Sequence, residues 1–292
     1  MKKDNKVINL PGILYDAESS CRFEFDKLKA PPISYYLTSL DIQALNKIAT
    51  SIKYQSNVNE KFKSMDRIMK RRGFVKYGCG TNRRIYRFLE DDSILMKVAY
   101  DRVGIEDNPN EYVNQNYLKP FVSKMYEVTP CGTVGLVERI QPIRTREQFM
   151  ANGEEIFDLL YFNIIGKYAL DDIGTDAFMN YGIRKGFGPC LLDYAYLYEL
   201  DEDKLHCKRM INKHRCDGLI DYSSDFNELV CTKCGKTYTA KEIGKLPVDD
   251  RDLNSPIIED CLPGNRTFGV KIVDKDGNVL VDNSDKESDI IY

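Results

Sequence analysis

Apolar side chains recur at helical spacing in two early stretches of the chain. Leu45, Ile48 and Ile52 share one face of a helix that begins near Thr38 or Ser39. Val58, Phe62, Met65 and Met69 follow at steps of four, three and four. Lys70-Arg71-Arg72-Gly73 then closes this second helix, with cations in the last turn and glycine at the C-cap. From Phe74 the pattern changes to strand and turn. Ile94-Leu-Met-Lys97-Val98 and Thr133-Val-Gly-Leu-Val-Glu138 read as strands. Between them, Asn108-Pro109-Asn110-Glu111 opens a short helix to about Leu118. Ile156, Leu160 and Ile164 predict a longer helix from about Glu154 to Leu170, and Cys190-Leu-Leu-Asp193-Tyr194 an apolar strand after it. Residues 1–37, punctuated by Pro11-Gly12 and Pro31-Pro32, read as irregular. Val270 to Val273 and Val279 to Val281 flank Asp276-Gly277, a hairpin signal. The mixture predicts the α+β class.

The cysteines add chemistry to this outline. Cys207, Cys216, Cys231 and Cys234 fall within 28 positions. Cys231-Thr-Lys-Cys234-Gly235-Lys236 is a knuckle: two thiolates at this spacing reach one tetrahedral ion while glycine lets the backbone turn. Leu219–Tyr222 and Phe226–Val230 would supply the two strands of a zinc ribbon. The first pair departs from that arrangement, because eight residues separate Cys207 from Cys216. His206 and His214, the only histidines, are rival ligands for Cys207. The competing readings are buried free thiols or a redox pair at Cys231 and Cys234. Four protein ligands leave no open position for water, so zinc held here is structural.

Composition narrows the setting. A chain of 292 residues, 42% hydrophobic and 30% charged, can bury a sizeable core. No apolar run approaches the roughly 18 residues of a membrane span, so no membrane partner is expected. The N-terminus has no apolar stretch of the export kind, and the five other cysteines are scattered, which predicts a cytoplasmic protein without a disulfide framework. Abundant Lys, Asn, Tyr and Ile fit an AT-rich genome, a low-GC bacterium or its phage, with an infected host or a virion as alternative settings. A net charge of −3 argues against a general nucleic-acid coat. Lys70-Arg71-Arg72 and Arg83-Arg84 read first as solvated helix ends and turns and second as local contact points, while Lys208, Arg209, Lys213 and Arg215 leave the zinc segment a local basic patch that keeps nucleic acid open as a partner.

Gly78-Cys79-Gly80-Thr81-Asn82-Arg83 follows a strand-like Phe74-Val75, and glycines so spaced let backbone amides approach phosphates. Lys97 sits in an apolar strand and needs a partner if buried, a role open to Glu111. In this order the residues resemble the N-lobe of the protein-kinase-like superfamily, with its glycine-rich loop, lysine on the third strand and glutamate on the following helix. The resemblance continues through Leu136-Val-Glu138-Arg-Ile-Gln-Pro142 as last N-lobe strand and hinge, Asp176-Ala-Phe-Met-Asn180 as catalytic loop, and Leu192-Asp193-Tyr194 as the family's Asp-Phe-Gly. It covers roughly residues 74–200.

The resemblance implies a two-lobed protein-kinase-like fold with a small zinc-ribbon-like segment. Residues 1–73 would be an N-terminal extension with two helices, 74–142 the N-lobe, 143–204 a reduced C-lobe, 205–245 the zinc segment and 246–292 a tail with a β-hairpin. Gly78 and Gly80 would cover the phosphates of ATP, Lys97 would hold them, oriented by Glu111, and Glu138 would stand at the hinge. Asn180 and Asp193 would bind magnesium, and Asp176 would accept the proton of the attacked hydroxyl, with Asp171 and Asp172 as rival bases. The departures are Arg83 at the third glycine, Thr175 at the expected aspartate, and the missing His-Arg-Asp, Phe-Gly and Ala-Pro-Glu strings. They admit two other readings. One is a catalytically inactive kinase-shaped protein in a protein assembly; the other is a zinc-ribbon protein that contacts nucleic acid or a polymerase.

Overall fold

A computed structural model describes residues 24–51, 58–245, 271–273 and 279–282. The chain is of the α+β class. After a 3-10 turn at Phe25–Lys27 come α1 (Ile33–Tyr36), α2 (Ser39–Thr50) and α3 (Val58–Arg71). The first two elements put order where an irregular stretch was expected. Thr38 starts α2 by a reciprocal capping box: its hydroxyl accepts from Asp41 N, and Asp41 Oδ2 accepts from Thr38 N at 3.0 Å. Such a cap contributes about 1 kcal/mol. Arg72 Nε, 2.7 Å from the same Asp41 oxygen, ties the end of α3 to the start of α2.

The helices lead into β1 (Phe74–Cys79), β2 (Arg83–Phe88), β3 (Ile94–Ala99), α4 (Arg102–Leu118), β4 (Met125–Val128) and β5 (Val134–Glu138). The five strands form one antiparallel sheet in the order β1-β2-β3-β5-β4. One face is covered by the first helices: Leu45, Met65 and Met69 pack with Phe74, Tyr86, Met96, Val98 and Leu136. Alternation along β3 sends Lys97 to the opposite face, which α4 covers.

The helix expected to open at Asn108 begins six residues earlier. Asp101 caps it, accepting from Gly104 N at 2.8 Å, and Pro109 lies inside. Proline lacks the donor that would meet the carbonyl of Ile105. That carbonyl lies against Gly132, where an added Cβ would stand 2.2 Å away. Local sequence marked Pro109 as a beginning; packing against the sheet carries the helix through it.

Beyond the sheet the chain forms β6 (Gln141–Pro142), α5 (Arg146–Ala151), α6 (Gly153–Asn163), β7 (Tyr168–Leu170), a 3-10 segment at Thr175–Asn180, β8 (Tyr181–Arg184), β9 (Gly188–Leu191) and β10 (Leu197–Leu200). β6, β8 and β9 make a small sheet. The helix predicted to reach Leu170 stops at Asn163. Gly166 takes a left-handed φ of +81°, and Tyr168–Leu170 turns to pair antiparallel with β10. Phe149, Ile156, Leu159, Leu160, Tyr181 and Tyr194 form the core of this part.

The remaining elements are β11 (Met210–Ile211), β12 (His214–Arg215), β13 (Ile220–Tyr222), β14 (Leu229–Cys231), β15 (Thr237–Tyr238), α7 (Ala240–Ile243) and β16 (Gly244–Lys245). β13, β14 and β15 form a three-stranded sheet, and β16 adds to β10. Phe226, expected in a strand, sits in the turn between β13 and β14 with φ +57°. β17 (Lys271–Val273) pairs antiparallel with β18 (Val279–Asp282), while the Asp276-Gly277 turn expected between them lies outside the described residues. Among the described residues no helix is long and apolar enough to cross a membrane.

Candidate functional site

The four cysteines of the 207–234 segment converge. Their sulfurs all lie within 4.8 Å of one another, with Cys207–Cys234 and Cys216–Cys231 both at 3.7 Å. Tetrahedral zinc–sulfur bonds of about 2.3 Å put sulfurs about 3.8 Å apart, so the group can hold a metal ion such as zinc. The long first spacing is absorbed by a hairpin. β11 and β12 pair around Asn212 and Lys213, whose φ values of +49° and +67° are those of a type I′ turn. Cys216 N donates to Arg209 O at 2.9 Å and Cys207 N to Gly218 O at 2.9 Å, which closes the base of that hairpin. At the second knuckle Gly235 takes φ +66° and donates to Cys231 O.

Neither histidine enters the group. His206 is exposed and turns Nδ1 toward Asp217 O at 3.4 Å, and His214 is exposed on β12. Crowded sulfurs cannot all ionise without a cation, and their acidities divide accordingly. Burial opposes ionisation of Cys207, yet the Tyr238 hydroxyl, 3.0 Å from its sulfur, and the Arg209 amide bring it down to about 6. Cys216 receives the Gly218 amide, but burial and the other sulfurs push it up to about 11. A divalent cation removes that conflict.

The second cluster lies between the sheet and α4. Lys97 Nζ stands 2.5 Å from Glu111 Oε2 and donates to Leu192 O at 2.7 Å. Arg83 Nη2 stands 2.8 Å from Glu111 Oε1 and 3.0 Å from Asp193 Oδ1, with Asp107 at 3.7 Å from Nε. Two cations and three carboxylates thus share one region, and Glu111 has no exposed surface. Burial is the largest influence throughout. It pushes Lys97 down, against Glu111 and Asp193 but together with Arg83, and Glu111 up, against Arg83 and Lys97 but together with Asp193. On Asp193 the opposing charges win: Arg83 and Lys97 hold its carboxyl below the usual range. Arg83 is held above the ordinary arginine range by Glu111, Asp193 and Asp107 against its own burial. Tyr194 and Ala195 anchor the segment after Asp193, their carbonyls accepting from Asn114 Nδ2 at 3.0 and 2.9 Å.

Lys97, Glu111 and Asp193 are therefore brought together, and the other predicted residues surround them at differing removes. Gly78 and Gly80 lie at the β1–β2 hairpin, where Gly80 N donates to Arg83 O at 2.8 Å. An added Cβ at either would meet nothing nearer than 3.6 Å. Asn180 reaches the cluster through its backbone: its carbonyl accepts from Leu192 N at 2.7 Å, while its side chain donates to Asp172 O. Asp176 is exposed and held through its backbone N by Asn227 Oδ1; its carboxylate is not among the groups bonded to Lys97 or Arg83. Asp171 accepts from Ala240 N at 2.8 Å and so joins the metal segment to the rest. The Glu138 carboxylate accepts from Arg184 Nε at 2.9 Å and Nη2 at 2.6 Å.

Arg83 was missed as a member of this charge cluster, and the expectation that Arg83 and Arg84 are solvated is overturned. Each is 5% exposed. They are neighbours on a strand covered on both faces, so one must point to α4 and the other to α3, where Arg84 meets Asp66 through Nε and Nη2 at 2.8 and 2.6 Å. The adjacent pair within a strand was the available signal. Neither a protein-family model nor a curated protein matches the chain in sequence.

Proposed function

We propose that the chain is a kinase-like protein with a reduced C-lobe, which binds ATP and magnesium beside the Lys97 cluster and transfers a phosphoryl group to an acceptor hydroxyl. The observation that carries this reading is the Lys97–Glu111 ion pair with Asp193 in the same cluster. The lysine stands on the third strand, the glutamate on the helix that follows, and the glycine pair on the hairpin before them. In this reading Gly78, Gly80 and Lys97 face the phosphates, Asn180 and Asp193 ligate magnesium, Asp176 accepts the proton and Glu138 braces the joint between two lobes. Magnesium supplies charge neutralisation at the phosphates. The four cysteines hold a structural zinc ion.

One observation favours a second reading, a kinase-shaped binding protein without activity. Arg83 Nη2 stands 3.0 Å from Asp193 Oδ1, one of the two oxygens open to a magnesium ion, and so competes with a metal for that carboxylate. A thermal-shift assay with ATP and magnesium tests the first reading. Saturation at about 100 times Kd stabilises by about 2.7 kcal/mol, and Lys97→Met should remove the shift without removing zinc. No shift at millimolar ATP, with or without magnesium, overturns nucleotide binding. A shift without phosphoryl transfer, unchanged in Asp176→Ala, selects the second reading.

A further inference from the structure

The chain's charge is unevenly placed. From Lys204 to Lys245 there are nine basic and five acidic residues, while the whole chain stands at −3. Four thiolates on one divalent ion would subtract two from that excess and leave the segment positive. The stretch Lys204–Cys216 contains five of the cations, both histidines and no carboxylate. The β11–β12 hairpin turns this stretch into a finger: every residue from Lys208 to Arg215 is exposed. Its base is the Cys207–Cys216 pair of the metal group.

Beside the finger runs a groove of about 720 Å³, lined by Lys204, His206, Lys208, Arg209, Lys236, Tyr238 and one acidic residue, Glu242. The carboxylate of Glu242 is committed to the cap of α7, accepting from Thr239 N at 2.8 Å. Lys208, Arg209, Lys213 and Lys236 have no carboxylate partner among the described residues, whereas Arg215 pairs with Asp217 and Lys204 with Asp201. The acidic residues Asp225 and Glu228 sit at the far end of the β13–β14 hairpin from the cysteines. Unpaired cations on a surface attract phosphate.

We propose that this finger and groove bind single-stranded nucleic acid. The cations follow the phosphates, and the choice of a strand over a duplex rests on the apolar groups set among them. Met210 is 62% and Ile211 40% exposed on the finger, and the half-buried Tyr238 ring lies in the groove under Lys236 Nζ, 4.3 Å from its centroid. A single strand offers unstacked base faces to such groups, and a duplex hides them. The inference is independent of the nucleotide site, since it uses no residue of the Lys97 cluster.

The test is fluorescence anisotropy with single strands of DNA and RNA of about 20 nucleotides, the duplex of the same sequence, and an acidic peptide of matched charge. The full chain should bind one of the strands more tightly than the duplex or the peptide. Four phosphate contacts predict a slope of log K against log salt near −3, about −0.7 per contact on a single strand. Lys208→Ala/Arg209→Ala/Lys213→Ala should reduce the slope by about 2 and weaken binding at least roughly tenfold, with zinc content and melting temperature unchanged. Lys208→Arg/Lys213→Arg should bind as the parent does. Absence of binding up to about 100 µM at low salt overturns the proposal. So does equal or tighter binding of duplex or peptide, or a folded triple variant that binds normally. If the triple variant fails to fold, the parent's salt slope and its order of preference still decide.

Discussion

Glu111→Gln is the most searching perturbation of the buried charge cluster. In the parent, Glu111 shares its two oxygens between Lys97 at 2.5 Å and Arg83 at 2.8 Å. Arg83 keeps Asp193 at 3.0 Å and Asp107 at 3.7 Å after the substitution. Lys97 keeps the neutral carbonyl of Leu192 and the more distant charge of Asp193, and a neutral amide oxygen replaces its bonded carboxylate. A lysine side chain only 9% exposed thereby loses its directly bonded carboxylate, and breaking a buried pair in this way costs about 3–5 kcal/mol. At about 2–4 °C per kcal/mol for a chain of this order, the melting temperature should fall by roughly 6–20 °C. Lys97→Met should cost less, because Glu111 retains Arg83, and the double variant should recover part of the Glu111→Gln loss. The pH dependence has a definite sign. Burial holds the folded-state Lys97 below its ordinary 10.5, so the unfolded chain binds more protons and stability rises with pH through that window. Loss of Glu111 lowers Lys97 further, and the deficit of the variant should narrow as pH rises toward 10.5. Urea unfolding of the four proteins at neutral and alkaline pH measures all of this. A Glu111→Gln cost below about 1 kcal/mol, the worth of an exposed pair, would refute the reasoning. Strict additivity in the cycle would refute it as well.

Three further outcomes are expected. Purified protein should carry about one equivalent of zinc by elemental analysis, and Cys231→Ser should lose it along with the cooperative melting of the 205–245 segment. Gly218→Ala should weaken metal retention against a chelator and destabilise by about 1–3 kcal/mol, since its Cβ would lie 2.6 Å from Cys231 Sγ and 2.5 Å from Lys233 Cβ. Arg83→Ala should free Asp193 and make the ATP-induced thermal shift more dependent on magnesium than in the parent. An unchanged magnesium response would mean that Arg83 does not compete for that carboxylate.

What the sequence determined by itself is local. Thr38 and Asp41 are three residues apart and cap α2 without outside help, the steps from Val58 to Met69 place α3, and Cys231-x-x-Cys234 carries its own turn at Gly235. In each case the interacting groups lie within one turn or one hairpin, and backbone preference is enough. The α+β class was legible for the same reason, because period and turn chemistry mark helices and strands wherever packing does not override them. Packing did override them at Pro109, where the helix runs on, and at Gly166, where a helical pattern gives way to a strand paired with β10.

Only the tertiary structure decided the chemistry of the two clusters. Cys207 and Cys216 are brought together by a type I′ turn whose two left-handed residues, Asn212 and Lys213, carry no glycine to announce it. Arg83 looked like a solvated cation and a defect in a glycine loop. It is a buried cation bound to carboxylates from α4 and from Asp193, 110 residues along the chain. Whether a charge is solvated or buried depends on which elements cover both faces of its strand, and that is settled by long-range packing rather than by the residue's neighbours in sequence.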